Sequence, residues 1–254
     1  MDMNALLWGI NAYPGAPLQG CVNDLVDAQA KLVAKGFSCV ALTDGMATEA
    51  RQKAELNTIV DNYQSGDIIA IVGSSHGSYM PDTSGDESDH RDELICPIDF
   101  PTGYLTDDWI RTCLARLPSD AKCYVVMDSC YSGTSTRVSP PNLDAHRIPI
   151  LGTRFMPFTG KMHRKAATKA VIVPTMKEVL YSASRDNQTS SEILVGGKPR
   201  GAFSYYFWKA IGANPTWTNE QVVAYCKTRI AAIGLTQVPQ LECQAAKANL
   251  VPFT

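Results

Sequence analysis

Residues 122–133, KCYVVMDSCYSG, decide the fold, because a mostly apolar run ends there in a carboxylate and a thiol. A continuous apolar run of this kind is typical of a strand buried on both faces of a parallel sheet. Asp128 ends the run, and Cys130 follows two residues later. Cys130 is then either one more buried thiol, as free cysteines often are, or a nucleophile held at the edge of a cleft.

Apolar runs of the same kind recur along the chain and alternate with helical patterns. Strands are predicted at residues 4–11, 37–43, 67–73, 122–128 and 178–184, and helices at residues 23–36, 48–63, 107–117, 202–212 and 218–234. This alternation predicts an α/β fold in which a mostly parallel central β-sheet is flanked by helices on both faces. With 254 residues and a hydrophobic content of 45%, the chain is expected to form a single domain over residues 1–254.

The composition argues against several classes of function. A net charge of −2 at pH 7 gives no reason to expect nucleic acid or an anionic membrane as a partner. We find neither a signal peptide nor an apolar run long enough to span a membrane. Eight cysteines in a long chain without an export signal favour reduced thiols in a cytoplasmic protein over a disulfide framework. No motif points to an organic cofactor or to a zinc site.

Residues 135–175 interrupt the alternation of strands and helices. The segment is rich in Lys, Arg and Pro, and Asp144 is the single acidic residue in its first 36 positions (135–170). We interpret it as a long, exposed, basic loop insertion. Its basic residues are most densely grouped at Lys161, Arg164 and Lys165.

Polar and reactive residues follow three of the predicted strands. Open parallel sheets bind ligands outside the carboxyl ends of their strands, so these residues are expected to converge on one edge. The residues concerned are Cys21, Asp24, Ser74, His76, Asp128 and Cys130.

His76 and Cys130 form a candidate catalytic pair. Alone, His76 is more simply read as a surface or hydrogen-bonded polar residue, and Cys130 as a core residue. Both, however, follow apolar strands at the same predicted edge, and small residues such as Gly77 and Ser129 flank them. An imidazole near a thiol increases the fraction of thiolate, which is the nucleophilic form.

Asp24 and Asp128 each have a structural and a functional interpretation. Asp24 is a candidate N-cap of the first helix, and Asp128 is a candidate turn residue. If both instead line one pocket, they need a cationic partner, because an unpaired buried charge is unfavourable. Two carboxylates suit the guanidinium of an arginine or the ammonium of a lysine from a substrate.

Motifs over nearly the whole chain, from about residue 4 to residue 243, carry a family resemblance. In chain order they are LQGCVNDLVDA (18–28), SSHGS (74–78), GDESDHRDELICPIDF (85–100), YLTDDWI (104–110), VVMDSCYSG (125–133), YSASRDNQTSSE (181–192), GAFSYYFWKAI (201–211) and VPQLEC (238–243). They resemble the metacaspases and their prokaryotic relatives, the orthocaspases, which are caspase-like cysteine peptidases. The resemblance implies a caspase-like fold.

The resemblance also implies roles for the candidate residues. Cys130 matches the nucleophile and His76 the general base and acid, while the N–H groups of Gly77 and Cys130 would form the oxyanion hole. The resemblance further implies an acidic pocket for the substrate side chain and cleavage after Arg or Lys. The residues that match this pocket are Cys21, Asp24, Ser74 and Asp128.

Calcium activation is common in this family, and Asp92, Asp107 and Asp108 match its ligand positions. Carboxylate oxygens suit Ca²⁺, yet Arg137 stands near the position where calcium-binding members have a further Asp. The alternative is a solvated acidic loop and two carboxylates at a helix N-terminus.

The resemblance also implies self-processing within the basic insertion and a monomeric state. The expected substrates are proteins or peptides that carry a basic residue before the cleaved bond.

Two other functions stay open at this point. One is a non-catalytic interaction module on the same fold, against which the presence of both His76 and Cys130 argues. The other is a thioester hydrolase, which gives no reason for an acidic pocket.

Overall fold

The structure is a computed structural model that describes residues 1–81, 91–130, 148–160, 176–185 and 188–254. Its strands are β1 (Met3–Gly9), β2 (Ser38–Thr43), β3 (Ile68–Ser74), β4 (Gly77–Pro81), β5 (Arg91–Ile95), β6 (Leu105–Thr106), β7 (Lys122–Asp128), β8 (Ile150–Thr153), β9 (Val179–Ser182), β10 (Ser191–Val195), β11 (Lys198–Gly201) and β12 (Gln240–Glu242). Its helices are α1 (Cys21–Ala34), α2 (Glu49–Asp61), α3 (Asp107–Leu114), α4 (Ala202–Ala213), α5 (Asn219–Ala232) and α6 (Ala245–Ala248), with one 3₁₀ turn at Asp44–Met46. Within these residues, no helix combines the length and the apolar character that a membrane span requires.

A six-stranded sheet forms the centre of the fold, in the order β12-β9-β7-β3-β1-β2. Its strands pair in parallel from β9 to β2, and β12 pairs antiparallel with β9 at one edge. Every residue of β3 is buried, as expected for a central strand covered on both faces. The predicted α/β fold with a mostly parallel central sheet is confirmed.

The strands serve two cores, because successive side chains of a strand point to opposite faces of the sheet. In β1, Leu7 packs in the core that α1, α4 and α5 cover, which includes Phe203. Leu6 points the other way and belongs to the core beneath α2 and α3, which includes Leu56. The prediction of helices on both faces of the sheet is therefore confirmed.

The start of helix α1 differs from the prediction. The helix begins at Cys21 with Gly20 at its N-cap position, so residue 23 as the start and Asp24 as the cap are both wrong. Asp24 lies in the first turn of the helix and is only 2% exposed. Its carboxylate is therefore available to groups outside the helix.

Two small antiparallel sheets, β4-β5-β6 and β11-β10-β8, accompany the central one. Strand β8 falls within residues 135–175, which we interpreted as an exposed basic loop. For residues 148–160 this interpretation is wrong, because they contain a paired strand and Arg154 is 0% exposed. The densest basic group, Lys161, Arg164 and Lys165, lies outside the described residues.

The central sheet generates a prediction about stability. Leu7 is 0% exposed, so the Leu7→Ala substitution should lower the free energy of unfolding by about 2–5 kcal/mol through lost burial and the cavity left behind. Equilibrium urea unfolding followed by circular dichroism measures this loss. The matched control is Val26→Ala on α1, where the side chain is 55% exposed, and a change within about 0.5 kcal/mol is expected. Equal effects of the two substitutions would contradict this assignment of the core.

Candidate functional site

Parallel register brings the ends of the central strands together. Gly9 at the end of β1 lies opposite Ser74 at the end of β3, and Ser74 lies opposite Asp128 at the end of β7. His76 and Cys130 each follow two residues beyond these strand ends. The predicted convergence of polar groups on one edge of the sheet is therefore present in the structure.

The backbones beside His76 and Cys130 are in direct contact. A Cβ atom added to Gly77 would lie 2.1 Å from the carbonyl oxygen of Cys130. Such a separation is far shorter than a van der Waals contact, so only glycine allows this approach. Both candidate residues are buried, His76 at 3% and Cys130 at 0% exposure.

Hydrogen bonding defines the state of the His76 imidazole. Its Nε2 atom lies 2.8 Å from the carbonyl oxygen of Ala16. Because a carbonyl oxygen only accepts, Nε2 carries the proton and Nδ1 is the basic nitrogen of the neutral ring. Within the described part of the chain, Nδ1 has no hydrogen-bond partner. His76 therefore has a free acceptor position, which is what a general base needs.

The Cys130 thiol is held in its protonated form. Burial raises the pKa of Cys130 to about 12, although the backbone N–H of Ser190 and the backbone of Arg154 act in the opposite direction. Consistent with a protonated sulfur, the thiol donates to the carbonyl oxygen of Ser190 at 3.1 Å. Burial also lowers the pKa of His76, while the backbones of Ala16 and Arg154 raise it. Thiol and imidazole are thus both neutral near pH 7.

Beside this pair, three buried carboxylates surround the guanidinium group of Arg154. One terminal nitrogen, Nη2, lies 2.6 Å from Asp24 Oδ2 and 3.4 Å from Glu192 Oε1. The other, Nη1, lies 3.1 Å from Asp128 Oδ1 and donates to Ser74 Oγ at 2.9 Å. We call this set of Asp24, Ser74, Asp128 and Glu192 the acidic pocket.

Backbone donors hold each carboxylate of the acidic pocket in place. Asp24 accepts from the Gly201 N–H at 3.0 Å, and Asp128 accepts from the Ser204 N–H at 2.9 Å. Glu192 accepts from the Gly20 N–H at 2.7 Å. The carboxylates therefore keep their positions through contacts that do not involve Arg154, so the pocket is preorganised for a cation.

Gly201 provides the space for the guanidinium. A Cβ atom at this position would lie 2.2 Å from Asp128 Oδ2 and 2.6 Å from Arg154 Nη1. Any other residue here would therefore displace either a carboxylate or the bound cation.

Burial also governs the charge of the acidic pocket. It raises the pKa of Asp24 to about 7; the Arg154 guanidinium opposes this rise, and the charge of Asp128 adds to it. Burial likewise raises the pKa of the neighbouring Cys21 thiol, which stays protonated. For Arg154, burial lowers the pKa, but Asp128, Cys21 and the other acids outweigh burial and raise it well above its ordinary value. The guanidinium is thus a permanent charge among acids, one of which titrates near neutral pH.

The structure brings together all the residues that were predicted for the dyad and the substrate pocket. These are Cys21, Asp24, Ser74, His76, Gly77, Asp128 and Cys130. Sequence reasoning missed Glu192, although it is the last residue of the motif YSASRDNQTSSE. It also missed Arg154, because nothing in the sequence separates this arginine from the other basic residues of its segment.

The predicted calcium ligands lie on two different elements, and two of them pair with an arginine. Asp92 lies on β5, while Asp107 and Asp108 begin α3 and pair with Arg111 at 2.8 and 3.1 Å. The described residues contain no group of three His, Cys, Asp or Glu side chains placed to hold a metal ion. These carboxylates fit calcium only in part, because an arginine already pairs with two of them.

A comparison with protein families shows which family the chain belongs to. The model of the caspase domain family, Peptidase C14, matches residues 3–251. The chain belongs to the caspase domain family. The caspase-like fold expected from the resemblance is thereby confirmed.

Curated relatives of this caspase domain are fungal metacaspases. Metacaspase-1B of Aspergillus niger is 30% identical over 98% of this chain and 67% of its own length. Metacaspase-1 of Mycosarcoma maydis is 30% identical over 93% of this chain and 69% of its own length. The chain thus spans about two thirds of the length of these relatives, and the similarity supports cysteine-type peptidase activity.

A solved structure has the same fold. The crystal structure of a protein from Geobacter sulfurreducens superposes with a TM-score of 0.75 at 25% identity, covering 100% of this chain and 99% of that one.

The acidic pocket of this caspase domain should bind guanidinium compounds more tightly as the pH rises through about 7. Asp24 is neutral below its raised pKa and charged above it, so its attraction for a cation appears as it loses its proton. Benzamidine binding to an Arg154→Ala, Cys130→Ala double variant, measured by calorimetry, should tighten by up to about tenfold per pH unit below that pKa. The Arg154 guanidinium lowers the pKa of Asp24. Its removal should therefore move the midpoint of this pH dependence to higher pH.

Asp24→Asn in the same background is the control, and it should remove this pH dependence. A dissociation constant that stays the same between pH 5.5 and pH 8.5 in the variant with intact Asp24 would contradict the assignment.

Proposed function

We propose that the protein is a cysteine endopeptidase that cleaves peptide bonds after Arg or Lys. The observation that carries the proposal is the guanidinium of Arg154, bound by three carboxylates at the sheet edge that also holds Cys130 and His76. A pocket that binds an arginine of this chain has the shape and charge to bind an arginine of a substrate. Its distance from the thiol is set by the two-residue spacing between Asp128 and Cys130.

In the proposed mechanism, the free Nδ1 of His76 accepts the proton of the Cys130 thiol. The thiolate attacks the carbonyl carbon of the substrate residue whose side chain fills the acidic pocket. The N–H groups of Gly77 and Cys130 stabilise the resulting oxyanion. His76 then protonates the leaving amine, and water hydrolyses the thioester with His76 as the base.

The acidic pocket favours arginine over lysine. Asp24 and Glu192 contact one terminal nitrogen of the guanidinium, and Asp128 contacts the other. A lysine presents a single nitrogen on a flexible stem and cannot occupy both positions. Since a hydrogen bond to a charged group contributes about 1.5–3 kcal/mol, losing one corresponds to about a 10–100-fold lower kcat/KM.

We therefore expect fluorogenic peptides that end in Arg to be hydrolysed with the highest kcat/KM. Peptides that end in Lys should be hydrolysed about 10–100-fold less efficiently, and peptides that end in Asp should not be hydrolysed.

The Cys130→Ala substitution should abolish turnover. Glu192→Gln should raise KM for Arg peptides more than it lowers kcat, because it removes a charge that contacts the side chain and not the reacting carbonyl. The matched control is Glu220→Gln, an exposed glutamate of α5.

Two results would refute parts of the proposal. Unchanged turnover in Cys130→Ala would exclude Cys130 as the nucleophile. A preference for peptides that end in Asp would exclude the acidic pocket as the specificity site.

Calcium stimulation stays a prediction of the family resemblance. If Asp92, Asp107 and Asp108 bind calcium, calorimetry on the Cys130→Ala protein should show binding that Asp107→Asn weakens. Arg111→Ala should strengthen it, because Arg111 competes with the ion for Asp107 and Asp108. Absence of calcium binding in both Cys130→Ala and its Arg111→Ala derivative would rule out this site.

We further propose that the enzyme acts on proteins and peptides, as a monomer in the cytoplasm. This part rests on the sequence: its eight cysteines in a long chain favour reduced thiols over a disulfide framework, and the family resemblance implies the monomer.

A further inference from the structure

Ser190 contacts both the candidate nucleophile and the acidic pocket, and we propose that it connects them, so that a cation bound in the pocket makes the Cys130 thiol more reactive. The side chain that a substrate places in the pocket then helps to activate the group that attacks the substrate. This inference rests on the proposed function, which it deepens by adding Ser190 to the site and by giving the pocket a role in the reaction.

The backbone of Ser190 contacts the sulfur of Cys130. Its N–H donates to Cys130 Sγ at 2.5 Å, and its carbonyl oxygen accepts from the same thiol at 3.1 Å. Ser190 is fully buried, so these contacts are shielded from water. A hydrogen bond to the charged form of a group favours that form: burial raises the pKa of the Cys130 thiol, and the N–H of Ser190 opposes this rise. The N–H of Ser190 thus stabilises the thiolate that the reaction requires.

The side chain of Ser190 contacts the acidic pocket. Its hydroxyl donates to Asp128 Oδ1 at 2.6 Å. The same oxygen of Asp128 lies 3.1 Å from Arg154 Nη1. One carboxylate oxygen therefore contacts both the cation in the pocket and the residue that donates to the sulfur.

The two contacts of Ser190 depend on each other. A single side-chain torsion angle, χ1, relates its amide nitrogen to its hydroxyl oxygen, so a shift of Asp128 also shifts the N–H relative to the sulfur. Hydrogen bonds weaken steeply when they are misaligned. A cation that holds Asp128 Oδ1 in place therefore also keeps the N–H of Ser190 directed at Cys130.

Charge acts in the same direction as position. Apart from burial, the carboxylate of Asp128 adds to the rise in the pKa of the Cys130 thiol, and the guanidinium of Arg154 opposes it. An empty pocket leaves the charge of Asp128 uncompensated near the thiol, and a bound cation offsets that charge. Binding of a cation thus favours the thiolate both through space and through Ser190.

A second serine provides a matched comparison. The hydroxyl of Ser204 donates to the other oxygen of Asp128, Oδ2, at 2.7 Å. Within the described part of the chain, Ser204 makes no hydrogen bond to the Cys130 sulfur, which bonds to Ser190. Replacing either serine by alanine removes one hydroxyl from the same carboxylate, but only Ser190 is also bonded to the nucleophile. A purely structural role for Ser190 would make the two substitutions equivalent.

The test measures alkylation of Cys130 by iodoacetamide, whose rate rises with the fraction of thiolate. Arg154→Ala removes the resident guanidinium, and ethylguanidinium chloride then supplies a cation that resembles the end of an arginine side chain. Saturating ethylguanidinium should accelerate alkylation about three- to tenfold, because a fall of one unit in the thiol pKa gives about tenfold more thiolate. Peptide mass mapping separates Cys130 from the other cysteines. Tetramethylammonium chloride at the same concentration is the control for ionic strength and should not accelerate the reaction, because it has no N–H group.

Two further substitutions, each added to Arg154→Ala, separate the connection through Ser190 from charge alone. Ser190→Ala and Ser204→Ala each remove one hydrogen bond to Asp128, so both should weaken the binding of ethylguanidinium. At saturation, the acceleration should be about two- to fivefold smaller in Ser190→Ala than in Ser204→Ala, as expected for the loss of one hydrogen bond. Equal acceleration in the two variants would show that the cation acts through charge alone and would overturn the role of Ser190.

The same two serines are compared in the protein that keeps Arg154. For peptides that end in Arg, Ser190→Ala should lower kcat more than it raises KM, because its N–H acts on the reacting sulfur, whereas Ser204→Ala should mainly raise KM. This comparison decides the inference if Arg154→Ala does not fold, as judged by circular dichroism. A loss of kcat in Ser190→Ala no larger than that in Ser204→Ala would then overturn it.

The outcomes distinguish this inference from the proposed function. If Arg154→Ala hydrolyses Arg peptides but ethylguanidinium does not accelerate alkylation, the inference is wrong and the proposed function stands. If ethylguanidinium accelerates alkylation but neither wild type nor Arg154→Ala hydrolyses Arg peptides, the proposed function fails, while the connection between pocket and thiol is supported.

Discussion

Three carboxylates buried at one sheet edge require a cation, and this requirement links the parts of the molecule. Asp24 comes from α1, Asp128 from the end of β7 and Glu192 from β10, so three separate regions of the chain meet around one charge. Removing such a charge from water is unfavourable unless it is paired and hydrogen-bonded. The guanidinium of Arg154 meets the carboxylates, and backbone N–H groups complete their hydrogen bonding. The acidic pocket therefore orders the segment that carries Arg154.

The same burial explains the chemical state of the candidate dyad. With Arg154 in the acidic pocket, Cys130 is 0% exposed and its thiol pKa is raised to about 12, while the pKa of His76 is lowered. A thiolate–imidazolium pair is disfavoured in this state, because desolvation disfavours both charged forms. Burial at this sheet edge therefore sets the charge of the acidic pocket and of both candidate catalytic residues.

Local patterns predicted much of this structure, and their failures have physical causes. Continuous apolar runs identified the strands of the parallel sheet, and the carboxyl-end rule for parallel sheets was enough to assign His76 and Cys130 to one edge. The cap assigned to Asp24 failed because the carboxylate finds its partners in Arg154 and Gly201, which are distant in sequence. The loop assigned to residues 148–160 failed because a short strand such as ILGT has little pattern of its own and forms by pairing with β10.

The sequence by itself determined the order of strands and helices, the residue types at each strand end and the presence of a thiol two residues after a carboxylate. Those features depend on periodicity and chain direction, which are local. The tertiary structure alone decided that Glu192 completes the pocket and that Arg154, among many basic residues, fills it. Both depend on antiparallel pairing between β8 and β10, which joins residues about 40 positions apart, and no local pattern encodes which of several similar cations the buried carboxylates will meet.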